Sequence, residues 1–383
     1  YYIKGDSMKV KINKNLFLKY LKYCNQIIVE NIINPIMNCV LIKFLKNKIE
    51  FICVSNNSNA KFVLNNEYEL DEEFQILIKG KILLNIISKI KDSDINIIKN
   101  VDNNLIIKTN NFECELNSLD FDTFPRINFD LNDYNEIKIN SEVFKRILAK
   151  TIPLANTNEP NKLISGINFV YDKKDNKLIC TSTDSFRVCK YEYSSDQISK
   201  DEFNFTINAK TLEKISSIIF EDSDNKDEIC FYKTNRDIFI NTNNKIINLK
   251  LMDGNFPNVI DVFKLPSNTK FKVNKQNLTS AIDKAVSIVS TEKTHSIKME
   301  INPNTIEIEA KSFELGYCKE SVELQEFEGE KIIIKINGLF LLHLFKNFDN
   351  DDIEISITSN SKPIILRDIK DQEFEQLILP IRI

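Results

Sequence analysis

Three stretches decide the fold: VKINKNLFLKYL (residues 10–21), IKINSEVFKRIL (137–148) and FKVNKQNLTSAI (271–282). Each reads as an alternating strand, one Asn, then an amphipathic helix. The Asn is the hinge of the pattern, because its side-chain oxygen can accept from an orphan amide of the first helical turn. Asn13, Asn140 and Asn274 hold that position, 127 and 134 residues apart. A second triplet follows the same plan: ILIKGKILLNII (76–87), FTINAKTLEKIS (205–216) and IKINGLFLLHLF (334–345). Here Lys79, Asn208 and Asn337 correspond, at intervals of 129. Phe124-Pro125, Phe256-Pro257 and Leu379-Pro380 close the units. Markers recurring in one order at one period indicate an internal repeat.

Apolar residues at i, i+3 and i+4 predict helices over 14–24, 81–91, 141–152, 209–219, 275–289 and 338–347; Phe17, Tyr20, Leu21 and Cys24 show the spacing. The runs between them, such as KIEFICVS, LICTSTD and TIEIEAK, are β-rich and bounded by turn residues. The expected architecture is α+β: three repeated domains, each with two helices on antiparallel sheet, over 8–132, 133–262 and 263–383.

Composition narrows the function. With 42% hydrophobic and 28% charged residues in 383, the chain can bury cores and is not disordered. No apolar run reaches the roughly 18 residues of a membrane helix. Tyr1 to Lys22 lacks a charged-then-apolar signal pattern, so a cytoplasmic protein that does not meet membranes is expected. Seven Gly leave little for phosphate loops, and no Walker lysine loop occurs. The eight Cys form no C-x-x-C pair, and His295 and His343 are the only histidines. No metal site, cofactor or catalytic centre is expected. A thiol enzyme using Cys189 beside Arg187 is the rival, but LICTSTDSFRVCKYEY reads as a β-hairpin rather than a helix start. A repeat scaffold binding only protein is a second rival.

Charge partition argues against that scaffold. The six helix windows hold 14 basic and 3 acidic residues, whereas the whole chain has net charge −4. Helices normally mix Glu with Lys. A one-signed set suits sequence-independent contact with a polyanion. Lys14, Lys19, Lys22, Lys81, Lys89, Lys145, Arg146, Lys150, Lys210, Lys214 and Lys284 are the candidates to face that polyanion.

With three such repeats, Thr183-Asp184-Ser185-Phe186-Arg187-Val188, Gly254-Asn255-Phe256-Pro257 and Leu379-Pro380-Ile381-Arg382-Ile383, the chain resembles the bacterial DNA polymerase III beta subunits, the sliding clamps. The resemblance spans Met8 to Ile383; residues 1–7 lie outside it. It implies a DNA-clamp fold closing as a head-to-tail homodimeric ring on duplex DNA. Binding would be topological and sequence-independent, and the ring would tether the replicative polymerase with no intrinsic catalysis. It implies a pocket between the second and third domains that docks peptides of the polymerase alpha subunit, the clamp-loader delta subunit and other clamp-binding-motif proteins. Carried over by position, the pocket comprises Ile164, Thr183, Phe186, Arg187, Val188, Pro257, Val262, Asn337, Phe340, Pro363, Leu377, Ile378, Leu379, Pro380, Ile381 and Arg382. In this reading Arg187 orients peptide carbonyl or carboxylate groups. At the dimer interface, Ile288 and Val289 would meet a strand around Phe112 and Cys114. The chain departs from the family's frequent residues at Ser185 and Phe186, where Gly-His is common. Asp261 stands where some relatives carry Arg, Thr294 where some carry an aromatic, and Asn31 in place of a DNA-facing Arg.

Overall fold

The structure, a computed structural model, describes residues 8–65, 68–132, 134–155, 162–221 and 228–382. Asp133 and Ile383, two of the expected domain limits, and residues 1–7 lie outside the described residues. Six α-helices are present among them: α1 (Lys14–Ile27), α2 (Gly80–Lys89), α3 (Ser141–Thr151), α4 (Ala209–Phe220), α5 (Lys275–Ile288) and α6 (Gly338–Phe345). All six fall on the predicted windows. The repeated Asn residues do what their position requires: Asn13 Oδ1 accepts from the amides of Asn15 and Leu16 at 3.0 and 3.2 Å. Asn140 and Asn274 repeat the arrangement on α3 and α5. Each such cap contributes about 1 kcal/mol. Lys79, at the equivalent junction before α2, makes no side-chain cap.

The chain divides into two compact units. The first holds Tyr1–Phe144, Gln197–Asp201 and Thr211–Leu251; the second holds Lys145–Asp196, Glu202–Lys210 and Met252–Ile383. All sheet pairings recorded in both are antiparallel. The first unit contains a five-stranded sheet in the order Glu69–Leu70, Met8–Asn13, Asp94–Lys99, Leu105–Lys108, Glu113–Leu116. Its second sheet has eight strands and is continuous across a repeat junction, because Lys245–Leu249 pairs with Ser58–Phe62. The second unit has a nine-stranded sheet, joined in the same way where Arg187–Tyr191 pairs with Phe374–Ile378. Its other sheet has four strands, with Gly316–Glu323 at one edge. Backbone pairing across repeat junctions explains why the compact units do not coincide with the sequence repeats.

Apolar helix faces cover these sheets. On α1, Phe17 is fully buried, with its ring 5.4 Å from Phe51 and 6.4 Å from Phe44. Truncating such a residue to Ala costs about 3–5 kcal/mol. In the second unit Phe374 is fully buried and meets Phe348 edge-on at 5.6 Å.

Candidate functional site

The segment 177–194 forms the predicted hairpin, with strands Lys177–Thr183 and Arg187–Ser194. Its turn is locked by its own side chains. Thr183 Oγ1 donates to the Arg187 carbonyl at 2.7 Å and accepts from the Ser185 amide at 3.1 Å. Asp184 Oδ1 accepts from the amides of Phe186 and Arg187 at 3.0 and 2.7 Å. Ser185 sits in the left-handed region at φ 74°, a conformation uncommon for a residue with a Cβ and supported here by these bonds. The result is a rigid tip that projects Phe186, whose side chain is 54% exposed.

Arg187 turns the other way. Its Nε and Nη2 donate to Asp184 Oδ2 at 2.9 and 2.6 Å, and its Nη1 donates to the Phe340 carbonyl at 3.3 Å. The guanidinium lies 4.3 Å from the Phe340 ring centroid. Arg187 is only 8% exposed. The fork is therefore spent inside the protein, and Arg187 is a strut rather than the peptide-orienting group expected from sequence. Phe340 is held from its own end too, since Asn337 Oδ1 caps α6 by accepting from the Phe340 amide at 3.0 Å. The rings of Phe186 and Phe340 meet at a tilt of 43° with centroids 5.8 Å apart.

The chain's last described residues complete this surface. Phe374–Ile378 adds to the hairpin as a neighbouring strand. Beyond it the Leu379 amide donates to the Phe186 carbonyl at 2.9 Å, and the Ile381 amide to the Lys335 carbonyl at 2.8 Å. Leu379 is 40% exposed, while Pro380 and Ile381 are half-buried. Beneath lies an apolar cluster of Val188, Phe263, Ile365 and Leu377, with Val259 and Val262 packed against it. The surface thus has an aromatic lip, an aliphatic wall and an apolar floor. Thr183 and Asn337 belong to its framework. Ile164 and Ile378 are buried by the fold at 3% and 0% exposure, so they present no surface of their own. Pro257 and Arg382 are exposed and Pro363 half-buried. Sequence reasoning missed Val259, Phe263 and Ile365. The apolar run at the start of the strand Ile364–Asp368 could have found Ile365; Val259 lies in irregular chain and Phe263 in a single 3-10 turn, Asp261–Lys264, both too short to carry periodicity.

His343 of α6 is held below the ordinary imidazole range, first by burial and then by the Arg187 and Lys346 charges. Cys189 is buried, and burial pushes its thiol up to about 11. A poor thiolate former in the interior does not serve as a nucleophile, which removes the thiol-enzyme reading.

The helix-borne charges separate into two sets. Lys22, Lys89, Lys145, Lys210 and Lys214 are exposed and have no carboxylate partner among the described residues; Lys14 is half-buried and likewise unpaired. Others are engaged: Lys19 with Glu221 at 3.7 Å, Lys81 with Glu30 at 3.7 Å, Lys284 with Glu320 at 2.7 Å and Arg146 with Asp371 at 2.6 Å. Lys150 corrects the sequence expectation outright. It is 6% exposed, paired with Asp349 at 2.9 Å, bonded to the Asn347 carbonyl and set 5.0 Å from the Phe374 ring. It braces the chain beyond α6 and does not face solvent.

Comparison with known proteins settles the family. Family models for the DNA polymerase III beta subunit match in order along the chain: N-terminal domain over 8–128, central domain over 138–258 and C-terminal domain over 262–382. The chain belongs to the DNA polymerase III beta-subunit family. The beta sliding clamp of Mycoplasma pneumoniae is 29% identical over 384 aligned positions, covering 97% of this chain and all of that protein. That of Staphylococcus aureus is 26% identical over 82% of this chain and 81% of the relative. The fold is similar to that of a Bacillus subtilis DNA polymerase sliding clamp, with TM-score 0.90 and 23% identity over 99% of this chain and 100% of that one. A Pseudomonas aeruginosa sliding clamp solved bound to griselimycin superposes with TM-score 0.88 at 16% identity, covering 98% and 100%.

Within the sliding-clamp fold, the expected interface residues also sort by burial. Phe112 is 38% exposed and precedes the edge strand Glu113–Leu116, where Cys114 is half-buried. Ile288 is half-buried, but Val289 has no exposed surface because it closes the end of α5 against the core. Val289 is therefore not available to a partner. The exposed apolar residues of that part of the chain lie instead on the edge hairpin, at Phe313, Leu315 and Tyr317. Asn31 likewise faces its own loop: its amide donates to Asn38 Oδ1 at 2.8 Å and its Oδ1 accepts from the Asn34 amide at 2.8 Å.

Proposed function

We propose that this chain is a subunit of a clamp that encircles duplex DNA and gives the replicative polymerase processivity, with no catalysis of its own. The carrying observation is the ordered match of all three beta-subunit domains across residues 8–382. Two copies would close head to tail, since a heterologous contact that closes makes a ring. Open edges at Glu113–Leu116 and Gly316–Glu323, each flanked by exposed apolar residues, supply complementary strands for that contact. Lys22, Lys89, Lys145, Lys210 and Lys214 would meet phosphates; flexible point charges give weak, exchangeable contacts blind to sequence.

The surface around Phe186, Phe340 and Leu379 would take an extended peptide with apolar anchors, such as those of the polymerase alpha and clamp-loader delta subunits. The exposed Phe186, the half-buried Phe340 and the aliphatic wall support that reading, because buried anchors dominate such contacts. The domain limits 8–132, 133–262 and 263–383 and a cytoplasmic site of action belong to the same proposal. No helix among the described residues is long and apolar enough to cross a membrane.

The test is topological. Protein loaded on nicked circular DNA by a clamp loader with ATP should stay bound, and should leave once the circle is cut. Equal retention on linear and circular DNA would rule out the ring. Removing residues 379–383 should abolish binding of a Gln-Leu-Ser-Leu-Phe peptide and leave the dimer intact; unchanged binding would place the peptide site elsewhere.

A further inference from the structure

The first unit has an apolar cluster that its helices do not cover. In the strands Cys39–Leu45 and Lys48–Val54, Phe44 and Phe51 turn towards Phe17 of α1. Successive strand residues alternate between faces, so Leu41, Lys43 and Ile52 turn the other way. On that face the chain leaving the first repeat crosses the sheet. It is tied down at Leu77, whose carbonyl accepts from the Leu119 amide at 2.8 Å. Phe124, 5% exposed, packs with Leu41 and Leu77, and Ile52, Phe121 and Ile127 pack against them. A recess of about 270 Å³ stays open between the crossing chain and the sheet.

The walls of this recess are apolar, but Lys43 and Arg126 also line it. Across the sheet Lys43 stands between Glu50 and Gln75, and Glu50 is engaged by Lys48 at 2.7 Å. Neither Lys43 nor Arg126 has a carboxylate partner among the described residues. Arg146, Arg187 and Arg367, by contrast, each hold a carboxylate, at 2.6, 2.6 and 2.5 Å. Asp122 is the one acid among the residues lining the recess, so positive charge is in excess there. Lys99 adds to it, with Nζ 5.9 Å from the Phe121 ring centroid.

We propose that this recess is a docking site for an acidic peptide: one apolar side chain enters it, and carboxylates on either side meet Arg126 and Lys43. The site is separate from the surface around Phe186 and lies in the other compact unit. Its volume falls below the roughly 300–1,000 Å³ of small-molecule sites, which suits one anchoring side chain rather than a whole cofactor. An unpartnered guanidinium beside apolar walls presents a fork that a carboxylate fills with two parallel hydrogen bonds. Lys43 is half-buried, so its ammonium is less hydrated than a free surface lysine and gains more from an anion. A nucleic-acid strand is a poor occupant, because the apolar walls give phosphates no donor and Asp122 repels them.

The probe is the dye-labelled pentapeptide Asp-Glu-Leu-Glu-Asp, followed by fluorescence anisotropy with the full chain at low salt. It should bind saturably. Arg126→Gln and Lys43→Gln should each weaken it about fivefold, and Arg126→Glu about tenfold. The neutral peptide Asn-Gln-Leu-Gln-Asn should bind at least about tenfold more weakly, and replacing its Leu by Ala in the acidic probe should cost about fivefold. The peptide Lys-Lys-Leu-Lys-Lys should prefer Arg126→Glu to the unmodified protein. Leu379→Asp, and the joint reversal of Lys22, Lys145 and Lys214 to Glu, should leave the acidic probe bound as before. Arg126 is exposed and holds no ion pair or side-chain hydrogen bond among the described residues, so its variants should fold; urea denaturation and sedimentation check that. No saturable binding, equal binding of the acidic and neutral peptides, or binding unmoved by Arg126→Gln would overturn the inference. Loss of binding with Leu379→Asp or with the lysine reversals alone would assign the probe to the surfaces proposed above and would overturn it equally.

Discussion

Replacing Arg187 by Met distinguishes a strut from a ligand-binding residue. Met keeps much of the side-chain length and removes the fork. Arg187 and Asp184 form an ion pair at 2.6 Å whose side chains are 10% and 9% exposed, so solvent screens it little. Removing one partner of a buried pair costs about 3–5 kcal/mol, mainly because the other charge is left behind. Asp184 retains two backbone donors, the amides of Phe186 and Arg187, which places the cost at the lower end, about 3 kcal/mol. Loss of the guanidinium from the Phe340 face adds to it. Urea denaturation of Arg187→Met, Asp184→Asn and the double variant measures this. Each single change should destabilise by about 3 kcal/mol, and the double should cost far less than their sum. Arg187→Lys should not restore stability, because an ammonium cannot span Asp184 and the Phe340 carbonyl together. Peptide affinity should fall only as far as Phe340 is displaced. Full stability with abolished peptide binding would refute the strut and return Arg187 to direct contact with the ligand.

The charges, thiols and interface give further tests. Charge reversal to Glu at Lys22, Lys145 and Lys214 should lower DNA affinity and flatten its salt dependence by about 0.9 per lost phosphate contact, whereas reversal at the engaged Lys19, Lys81 and Lys284 should do less; equal effects would deny the distinction. At pH 8 a water-soluble disulfide reagent should leave Cys24, Cys180 and Cys189 unmodified in the native protein while half-buried Cys114 and Cys318 react slowly; rapid labelling of Cys189 would contradict its burial. Because the folded state holds the His343 pKa below its unfolded value, its contribution is complete above the unfolded pKa of about 6.5 and is lost as pH falls through the folded one. His343→Gln should therefore flatten the stability profile on the acid side of that value, and an unchanged profile would mean another group carries it. Tyr317→Asp on the edge hairpin should yield monomers by sedimentation, whereas Val289→Ala should destabilise the fold without dissociating copies.

Much of this was legible from residues alone. The strand-Asn-helix pattern placed five helices and apolar spacing alone placed α2, where Lys79 replaces the Asn, because capping and amphipathic spacing are local properties that survive in any tertiary context. The hairpin at 177–194 was equally readable from its β-branched and aromatic runs. What escaped was the use made of individual side chains. Sequence placed Arg187 among the pocket residues, but not its partners, Asp184 and the Phe340 carbonyl, which come from the turn and from a helix 153 residues away. Val289 looks like one more apolar residue at a helix end, and only the packing of α5 shows that its surface is spent. Continuity of sheets across repeat junctions was also hidden, since the pairing of 245–249 with 58–62 leaves no local trace.

The lysines show most clearly how burial reassigns chemistry. Counting charge by helix gives a one-signed set, and the simple inference is that all of it serves DNA. Two members, Lys150 and Lys275, instead brace the chain beyond α6, and a lysine outside the set does the same at the end of α4. Lys150 donates to the Asn347 carbonyl, Lys275 to the Phe348 carbonyl at 2.7 Å, and Lys245, outside the helices, to the Ile218 carbonyl of α4 at 2.6 Å. Helix ends leave carbonyls unsatisfied and carry negative partial charge, so an ammonium placed there is stabilised both as donor and as cation. Glu could not substitute at any of these positions. Part of the acid depletion that suggests a nucleic-acid surface thus has an internal cause. The DNA reading then rests on the exposed, unpaired lysines, whose side chains hold no internal bond that a passing phosphate would have to break.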